Sequence, residues 1–386
     1  MQLGSPTTLV PAGETRDGTP CLVERVAVIG LGLIGGSLGL ALLQGGVARE
    51  VTGFDRQEGA IKEALQIGAI NRPTSSLEEA VEGAAVVILA LPVGTLSPVA
   101  RAIAPSLEPG TIVTDTGSVK GPVVRELERI FQHRAHYVGG HPMAGSERAG
   151  IKAADRYLLE NAVYILTPTP ASDSAALQRL EELFRAAGSR VMVLDPDEHD
   201  LVVAGISHLP HLLAVSLMQT AGELARQHPL TLMLAAGGFR DTTRIASGDP
   251  VMWQDIFLHN RQAVLTLLAA WRRQVDILEG MIARGAGEEL KAALHQARLL
   301  RARVPARQKG LLPALHELVV TVPDRPGVIG FMATALGNAG INIIDIEILR
   351  VREGEGGSIR LGFTTAAAAR GALEILLGCG INARML

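Results

Sequence analysis

Gly30-Leu31-Gly32-Leu33-Ile34-Gly35 follows the apolar run Val26 to Ile29 and opens onto a helix-patterned run from Gly36. No other stretch limits the possible folds so sharply. A G-x-G-x-x-G segment between a strand and a helix allows a tight turn and a close approach of backbone to a pyrophosphate. The anion can then sit on free helix N–H groups. A glycine-rich loop alone could simply turn a corner. Here the flanking strand and helix, with Asp55 closing the next strand about 20 residues on, point to a dinucleotide. The Asp55 carboxylate suits both hydroxyls of an adenosine ribose, which favours NAD. Arg56 could pair with a 2′-phosphate, but Asp55 would repel that group. Gly30, Gly32, Leu33, Ile34, Gly35, Asp55 and Arg56 are the cofactor candidates of this segment.

Alternation of short apolar runs with helix-patterned stretches continues from Glu24 to about Leu194. It predicts an α/β, Rossmann-type dinucleotide-binding domain over 24–194, built on a mostly parallel sheet. Its strands are expected near Arg25–Gly30, Glu50–Asp55, Ala85–Ala90, Thr111–Asp115, Tyr137–Gly140, Ala162–Leu166 and Arg190–Leu194. From Asp195 to Arg307 strand signals stop, and helices follow one another with breaks at Pro229, Gly237-Gly238, Gly248-Asp249-Pro250 and Gly285 to Gly287. Asp195, Pro196 and Glu198 read as a capped helix start. Residues 308–315 are an expected linker. Residues 316–386 read as βαββαβ, a ferredoxin-like domain. Residues 1–23, rich in Gly, Pro, Thr and Ser, read as a loose leader.

With 386 residues, 47% of them hydrophobic and 19% charged, the chain has enough apolar material for several cores. A formal net charge of -3 gives no field to gather nucleic acid or an anionic membrane. The longest apolar runs, such as Ala84 to Val93, fall well short of the roughly 20 residues that span a bilayer. The opening residues hold no signal-peptide core, and Cys21 and Cys379 stand at opposite ends. A cytoplasmic, reducing location is the expectation.

Open α/β sheets bind ligands beyond the carboxyl ends of their strands. Leu91-Pro92 after the third strand suits an adenosine or ribose face. Thr116 and Ser118, after the fourth, bring flexible backbone and a hydroxyl toward the nicotinamide position. His141 follows Gly139-Gly140, where small residues let a substrate approach. An imidazole titrates near neutrality and can take a hydroxyl proton while the same carbon loses hydride; a structural histidine bonded to a carbonyl is the bland alternative.

In the helical region His199, Ser207 and His211 share a broad helix face, with His208 expected on the opposite side. Pro210 leaves the carbonyl of Ile206 without its helical partner, which predicts a kink. Three histidines could also hold a metal, but no carboxylate or cysteine completes a ligand spacing; the expectation is none. Arg244 is a candidate bidentate partner for a substrate carboxylate, and Trp253 follows it closely.

These segments resemble the prephenate dehydrogenase family over about Glu24 to Arg307. The most specific are Gly140-His141-Pro142-Met143-Ala144-Gly145 and Ser207-His208-Leu209-Pro210-His211, joined by Asp115-Thr116-Gly117-Ser118-Val119-Lys120, His199-Asp200 and Thr243-Arg244-Ile245-Ala246. The resemblance implies oxidative decarboxylation of prephenate to 4-hydroxyphenylpyruvate with NAD⁺ as hydride acceptor. It makes His141 the catalytic group on the ring hydroxyl, Ser118 the residue that orients His141, and Arg244 the carboxylate anchor. It places His211, Ser207 and His199 on the substrate-binding helix, and Glu147 with Asp241 in a polar network at the pocket mouth. It also implies a homodimer built on the helical domain.

The last 71 residues are similar to an ACT domain, through Pro323-Asp324-Arg325-Pro326-Gly327-Val328 and Gly340-Ile341-Asn342-Ile343. Asp324, Gly327, Asn342 and Ile343 are then the regulatory candidates, L-tyrosine the natural effector, and dimerisation alone the plain alternative. Arogenate dehydrogenase shares fold and chemistry. A catalytically dead amino-acid sensor is the alternative of another class, against which His141, Ser118 and Arg244 speak.

Overall fold

In a computed structural model that describes residues 21–145, 148–304, 316–323, 325–352 and 356–385, the apolar run ahead of the glycine loop forms the strand β1, Val23–Ile29. Its residues alternate between two cores. Val26 and Val28 pack in one, with Leu38, Val51 and Phe184, while Ala27 and Ile29 pack in the other, with Leu96, Val123 and Phe131. A strand buried on both faces needs apolar residues at every position, as in a parallel sheet covered on both sides.

The further strands of this sheet are β2 (Ala48–Phe54), β3 (Arg72–Pro73), β4 (Val86–Leu89), β5 (Ile112–Asp115) and β6 (His136–Tyr137). They form a six-stranded parallel sheet in the order β3-β2-β1-β4-β5-β6. The order reverses between β1 and β4, so the carboxyl ends of those two strands flank the crevice where such sheets receive ligands.

The expectation of one continuous sheet needs correction. The stretch read as a single strand, Tyr137–Gly140, is divided between two sheets. β6 ends at Tyr137, and β7, Gly139–Pro142, pairs antiparallel with β8, Val163–Thr167, which pairs in parallel with β9, Arg190–Val193. The cause is Gly139-Gly140. A Cβ on Gly140 would crowd the Asp115 carbonyl and the Thr114 hydroxyl, and one on Gly139 would crowd Val124 and Thr167. Only glycines let the chain pass so close to β5 while changing sheets. His141 therefore lies within a strand, opposite Ile165, rather than in a loop beyond one. The two-residue β3 was not foreseen, and β1 spans Val23–Ile29 where Arg25–Gly30 is the expectation.

From Pro196 the chain is helical, with helices at Pro196–Val203, Leu209–Gln227, Gly237–Thr243, Pro250–His259, Arg261–Ala283 and Gly287–Arg303. Asp195 caps the first as predicted, its side chain accepting from the amides of Asp197 and Glu198. Between the first two lies a π-helical turn, Ala204–His208, which makes one continuous helix of Pro196–Gln227. By length and composition alone that helix could cross a bilayer, with a mean hydropathy of 1.8 over its most apolar window, although no unbroken apolar run in it reaches that length. Its most apolar stretch is broken up by uncharged residues such as Ser207, Pro210 and Ser216, while charged residues lie toward its two ends. Its histidine face is nonetheless buried in protein, with His199, His208 and His211 all enclosed. Its far side and its neighbours leave Leu217, Leu224, Met233, Leu234 and Leu258 exposed, a larger apolar surface than isolated exposed side chains make.

The chain packs as two compact units, Met1–Ala306 and Arg307–Leu386. In the second, β10 (His316–Val322), β11 (Asp345–Arg352), β12 (Gly356–Phe363) and β13 (Asn382–Met385) form an antiparallel sheet in the order β11-β12-β10-β13. Helices Val328–Asn338 and Ala366–Gly378 complete the predicted βαββαβ order, over a core that includes Leu318, Val320, Leu336, Leu361, Phe363 and Leu376. Asn342 and Ile343 precede β11 instead of opening it. Asp324, the linker and the leader as far as Pro20 lie outside the described residues.

Candidate active site

At the end of β1 the glycines do what their spacing predicts. Gly30 has φ +96°, and a Cβ there would strike the Ala90 carbonyl oxygen; one on Gly35 would strike the carbonyl oxygen of Gly30. A Cβ on Gly32 would meet nothing, so the loop is open on the side of the helix N-terminus. That helix, Leu33–Gln44, has no side-chain cap at Gly32 and leaves its first N–H groups available. The cradle fits a pyrophosphate. Asp55 sits just beyond β2, its Oδ2 accepting from the Leu31 amide at 2.9 Å and its Oδ1 from the Gln57 amide at 2.9 Å. Arg56 is exposed. Leu91 and Pro92 follow β4 across the crevice, and the Thr116 amide is tied to Leu89 O at 3.1 Å.

Below the crevice lies a buried polar knot that holds β5 to β7. Asp115, fully buried at the end of β5, accepts hydrogen bonds from Tyr137 Oη (2.8 Å), the Gly117 amide (2.8 Å) and the Gly140 amide (3.2 Å). It also pairs with the ammonium of Lys120, which is itself fully buried and donates to Gly140 O at 2.7 Å. Burial pulls the Lys120 pKa down, against the Asp115 charge that raises it; burial, then Asp115, pushes the Tyr137 hydroxyl well above its ordinary range. One residue past the knot stands His141.

His141 Nδ1 lies 2.8 Å from His199 Nε2, and His199 Nδ1 lies 2.9 Å from Asp200 Oδ1. The Asp200 carboxylate accepts in addition from the amides of Lys120 (2.7 Å) and Gly121 (2.8 Å). These contacts dock the long helix onto the start of the helix Gly121–Phe131 that follows β5. Burial holds His141 neutral, pulling its pKa well below the ordinary histidine value, and the neighbouring His199, Lys120 and His208 add to the effect. Among the described residues no hydrogen bond joins Ser118 to His141, whose Nδ1 meets His199 instead.

The row of rings continues. Asn260 Nδ2 donates to the Asp200 carbonyl at 2.9 Å and lies 3.1 Å from His208 Nδ1. His208 is buried, contrary to the expectation that it faces away, because the wider π-helical turn rotates it back toward the interior. The same turn precedes Pro210 and accommodates its missing N–H without breaking the helix. Burial lowers the His208 pKa to about 4, despite the opposing Asp200 charge. His208 meets the edge of Trp253, which stacks on His211 with ring centroids 3.6 Å apart. Burial also lowers the pKa of His211, while the backbone of Ile245 favours its protonated form.

Ile245 belongs to the short helical turn Arg244–Ser247, so the turn carrying Arg244 rests against His211. Arg244 and Asp241 are exposed and Ser207 is half-buried; Glu147 lies outside the described residues. Sequence reasoning assigned no role to Lys120, Asp200, Asn260 or Tyr137. Their partners are up to 80 positions away in the chain, and no local spacing signals such contacts.

Three family models match in succession: the nucleotide-binding domain of prephenate dehydrogenase over residues 38–193, its dimerization domain over 195–296, and the ACT domain over 316–370. The prephenate dehydrogenase of Bacillus subtilis is 38% identical over 341 residues, covering 88% of this chain and 92% of that protein. A crystal structure of prephenate dehydrogenase from Aquifex aeolicus, in complex with hydroxyphenyl propionate and NAD⁺, superposes with a TM-score of 0.69 at 34% identity, covering 73% of this chain and 98% of that one. Synechocystis arogenate dehydrogenase superposes with a TM-score of 0.65 at 31% identity, covering 73% of this chain and all of that one, 100%. With the reversed strand order, the open glycine cradle and a buried histidine beside it, this agreement along nearly the whole chain places the protein in the prephenate dehydrogenase family.

Proposed function

We propose that the chain catalyses the NAD-dependent oxidative decarboxylation of prephenate to 4-hydroxyphenylpyruvate, a step toward L-tyrosine. The observation that carries this reading is the buried His141, held by its Nδ1 within the same unit as an open dinucleotide cradle. Bound in that cradle, NAD⁺ supplies the hydride acceptor. His141 Nε2 accepts the ring hydroxyl proton as hydride leaves the same carbon, and returns it to the oxygen once loss of CO₂ has made the ring aromatic. Protons therefore balance, and the aromatisation supplies the driving force. Arg244 anchors a substrate carboxylate, His211 and Trp253 form the apolar wall beside it, and Ser207 and Asp241 complete the polar mouth. Ser118, three residues past the end of β5, is the hydroxyl proposed to act beside His141.

Supplied with prephenate and NAD⁺, the chain should release CO₂ and 4-hydroxyphenylpyruvate. Arg244→Gln should raise KM for prephenate at least about tenfold with kcat little changed, the signature of lost binding that is equal in ground and transition states. Arogenate is the second reading, favoured by the likeness to the Synechocystis enzyme, and differs only by an amino group in place of the keto group.

The three-part division is part of the same proposal: 24–194 for the cofactor, 195–307 for substrate and dimerisation, and 316–386 for regulation. The exposed apolar face around Leu217 and Met233 fits a homodimer interface. Free thiols at Cys21 and Cys379 fit a cytoplasmic enzyme. L-tyrosine is the proposed effector, with Gly327, left-handed at φ +88° where it opens its helix, and Asn342 and Ile343 near its site. Titrating L-tyrosine should inhibit the full chain and leave a chain ending at Arg303 much less affected; equal inhibition of both would place the effector site elsewhere.

A further inference from the structure

Which nitrogen of His141 carries its proton decides whether that residue can act as a base. A neutral imidazole has one N–H and one lone pair, so the partner of one nitrogen dictates the state of the other. In this row the Asp200 carboxylate offers lone pairs alone. Asp200 accepts from the Lys120 amide through Oδ1 and from the Gly121 amide through Oδ2. As a carboxylate it has nothing to donate, so the 2.9 Å contact to His199 requires the proton on His199 Nδ1. A neutral His199 then presents a lone pair at Nε2, and the 2.8 Å contact to His141 requires the proton on His141 Nδ1. All three residues are enclosed, at 5% exposure for Asp200, 0% for His199 and 9% for His141, which leaves little room for water as a competing partner.

We infer that the Asp200–His199 pair sets the tautomer of His141, so that Nδ1 is protonated and Nε2 turns its lone pair toward the substrate hydroxyl. His199 and Asp200 are positioning residues that act through His141. The arrangement also serves the charge that appears when His141 accepts a proton. The new imidazolium keeps its Nδ1–H on His199, whose far side rests on the carboxylate. No proton has to move along the row, consistent with a reaction that returns its proton to the product. An imidazolium at His199 would reverse the pattern, putting a proton on His141 Nε2 and removing the base.

The inference rests on the proposed reaction for its consequence, but its test need not. The full chain labelled with ¹⁵N in histidine is examined by NMR without substrate, with the His141 signals identified by their loss in His141→Asn. The expected result is a protonated Nδ1 and an unprotonated Nε2 on His141; a protonated Nε2 overturns the inference. Kinetics supply the second arm. An amide at position 200 can donate to His199 Nδ1 and so flip both rings, and Asp200→Asn should lower kcat about 100-fold or more.

His199→Gln keeps a carbonyl acceptor for His141 Nδ1–H whatever stands at position 200. It lowers kcat by its own amount, and adding Asp200→Asn to it should cost about threefold or less beyond that. An equal loss from Asp200→Asn in both backgrounds would mark a purely structural role and contradict the inference. A chain that folds and shows the expected tautomer but never turns over prephenate would overturn the proposed function and leave the tautomer standing.

Discussion

His141→Asn lowers kcat on prephenate by about 10²- to 10⁴-fold, the span that a positioned general base contributes, and leaves the affinity for NAD⁺ near that of the unmodified chain. The asymmetry follows from what each group touches. The cofactor cradle is held by glycine contacts to Ala90 and by the bond from Leu31 to Asp55, none of which involves His141. An asparagine amide is too weakly basic to take a hydroxyl proton, whichever way it is turned. Initial-rate kinetics with calorimetric titration of NAD⁺ separate the two effects. A variant with near-normal kcat would remove His141 from the mechanism.

Lys120→Met has the largest expected effect on stability, a loss of about 3–5 kcal/mol, as for other buried ion pairs broken on one side. Lys120 and Asp115 are both fully enclosed, and the methionine leaves the Asp115 carboxylate without its counter-charge and Gly140 O without its donor. Tyr137 and the amides of Gly117 and Gly140 still donate to Asp115, which argues for the lower end of that range. Because Gly140 precedes His141, activity should fall together with stability. The two tryptophans, Trp253 and Trp271, both belong to the Met1–Ala306 unit, so a urea titration followed by their fluorescence reports that unit alone. A Lys120→Met chain as stable as the parent would mean that the ammonium is held without a net gain.

The parts legible in the sequence are those encoded over short spans. The cradle, the capped start at Asp195, the succession of helices and the βαββαβ tail each depend on residues within a few positions of one another. His141 and Arg244 stood out as chemical types beside flexible backbone. The split of the sheet at Val138 was hidden, because Gly139-Gly140 reads equally well as the end of a strand and as a passage between two. His208 was turned the wrong way because a π-helical turn shifts the phase of every later residue, and nothing in Ala204 to His208 announces it. The polar knot of Asp115, Tyr137 and Lys120, and the joining of His141 to Asp200 through His199, depend on contacts that only the finished fold supplies.

The central claim, a dehydrogenase directed at prephenate and NAD⁺, is tested most directly by the specificity constants of the full chain for prephenate and for arogenate, each with NAD⁺ and with NADP⁺. The highest kcat/KM is expected for prephenate with NAD⁺, since the Asp55 carboxylate just beyond β2 would repel a 2′-phosphate. A higher kcat/KM for arogenate, or for NADP⁺ with either substrate, would contradict it.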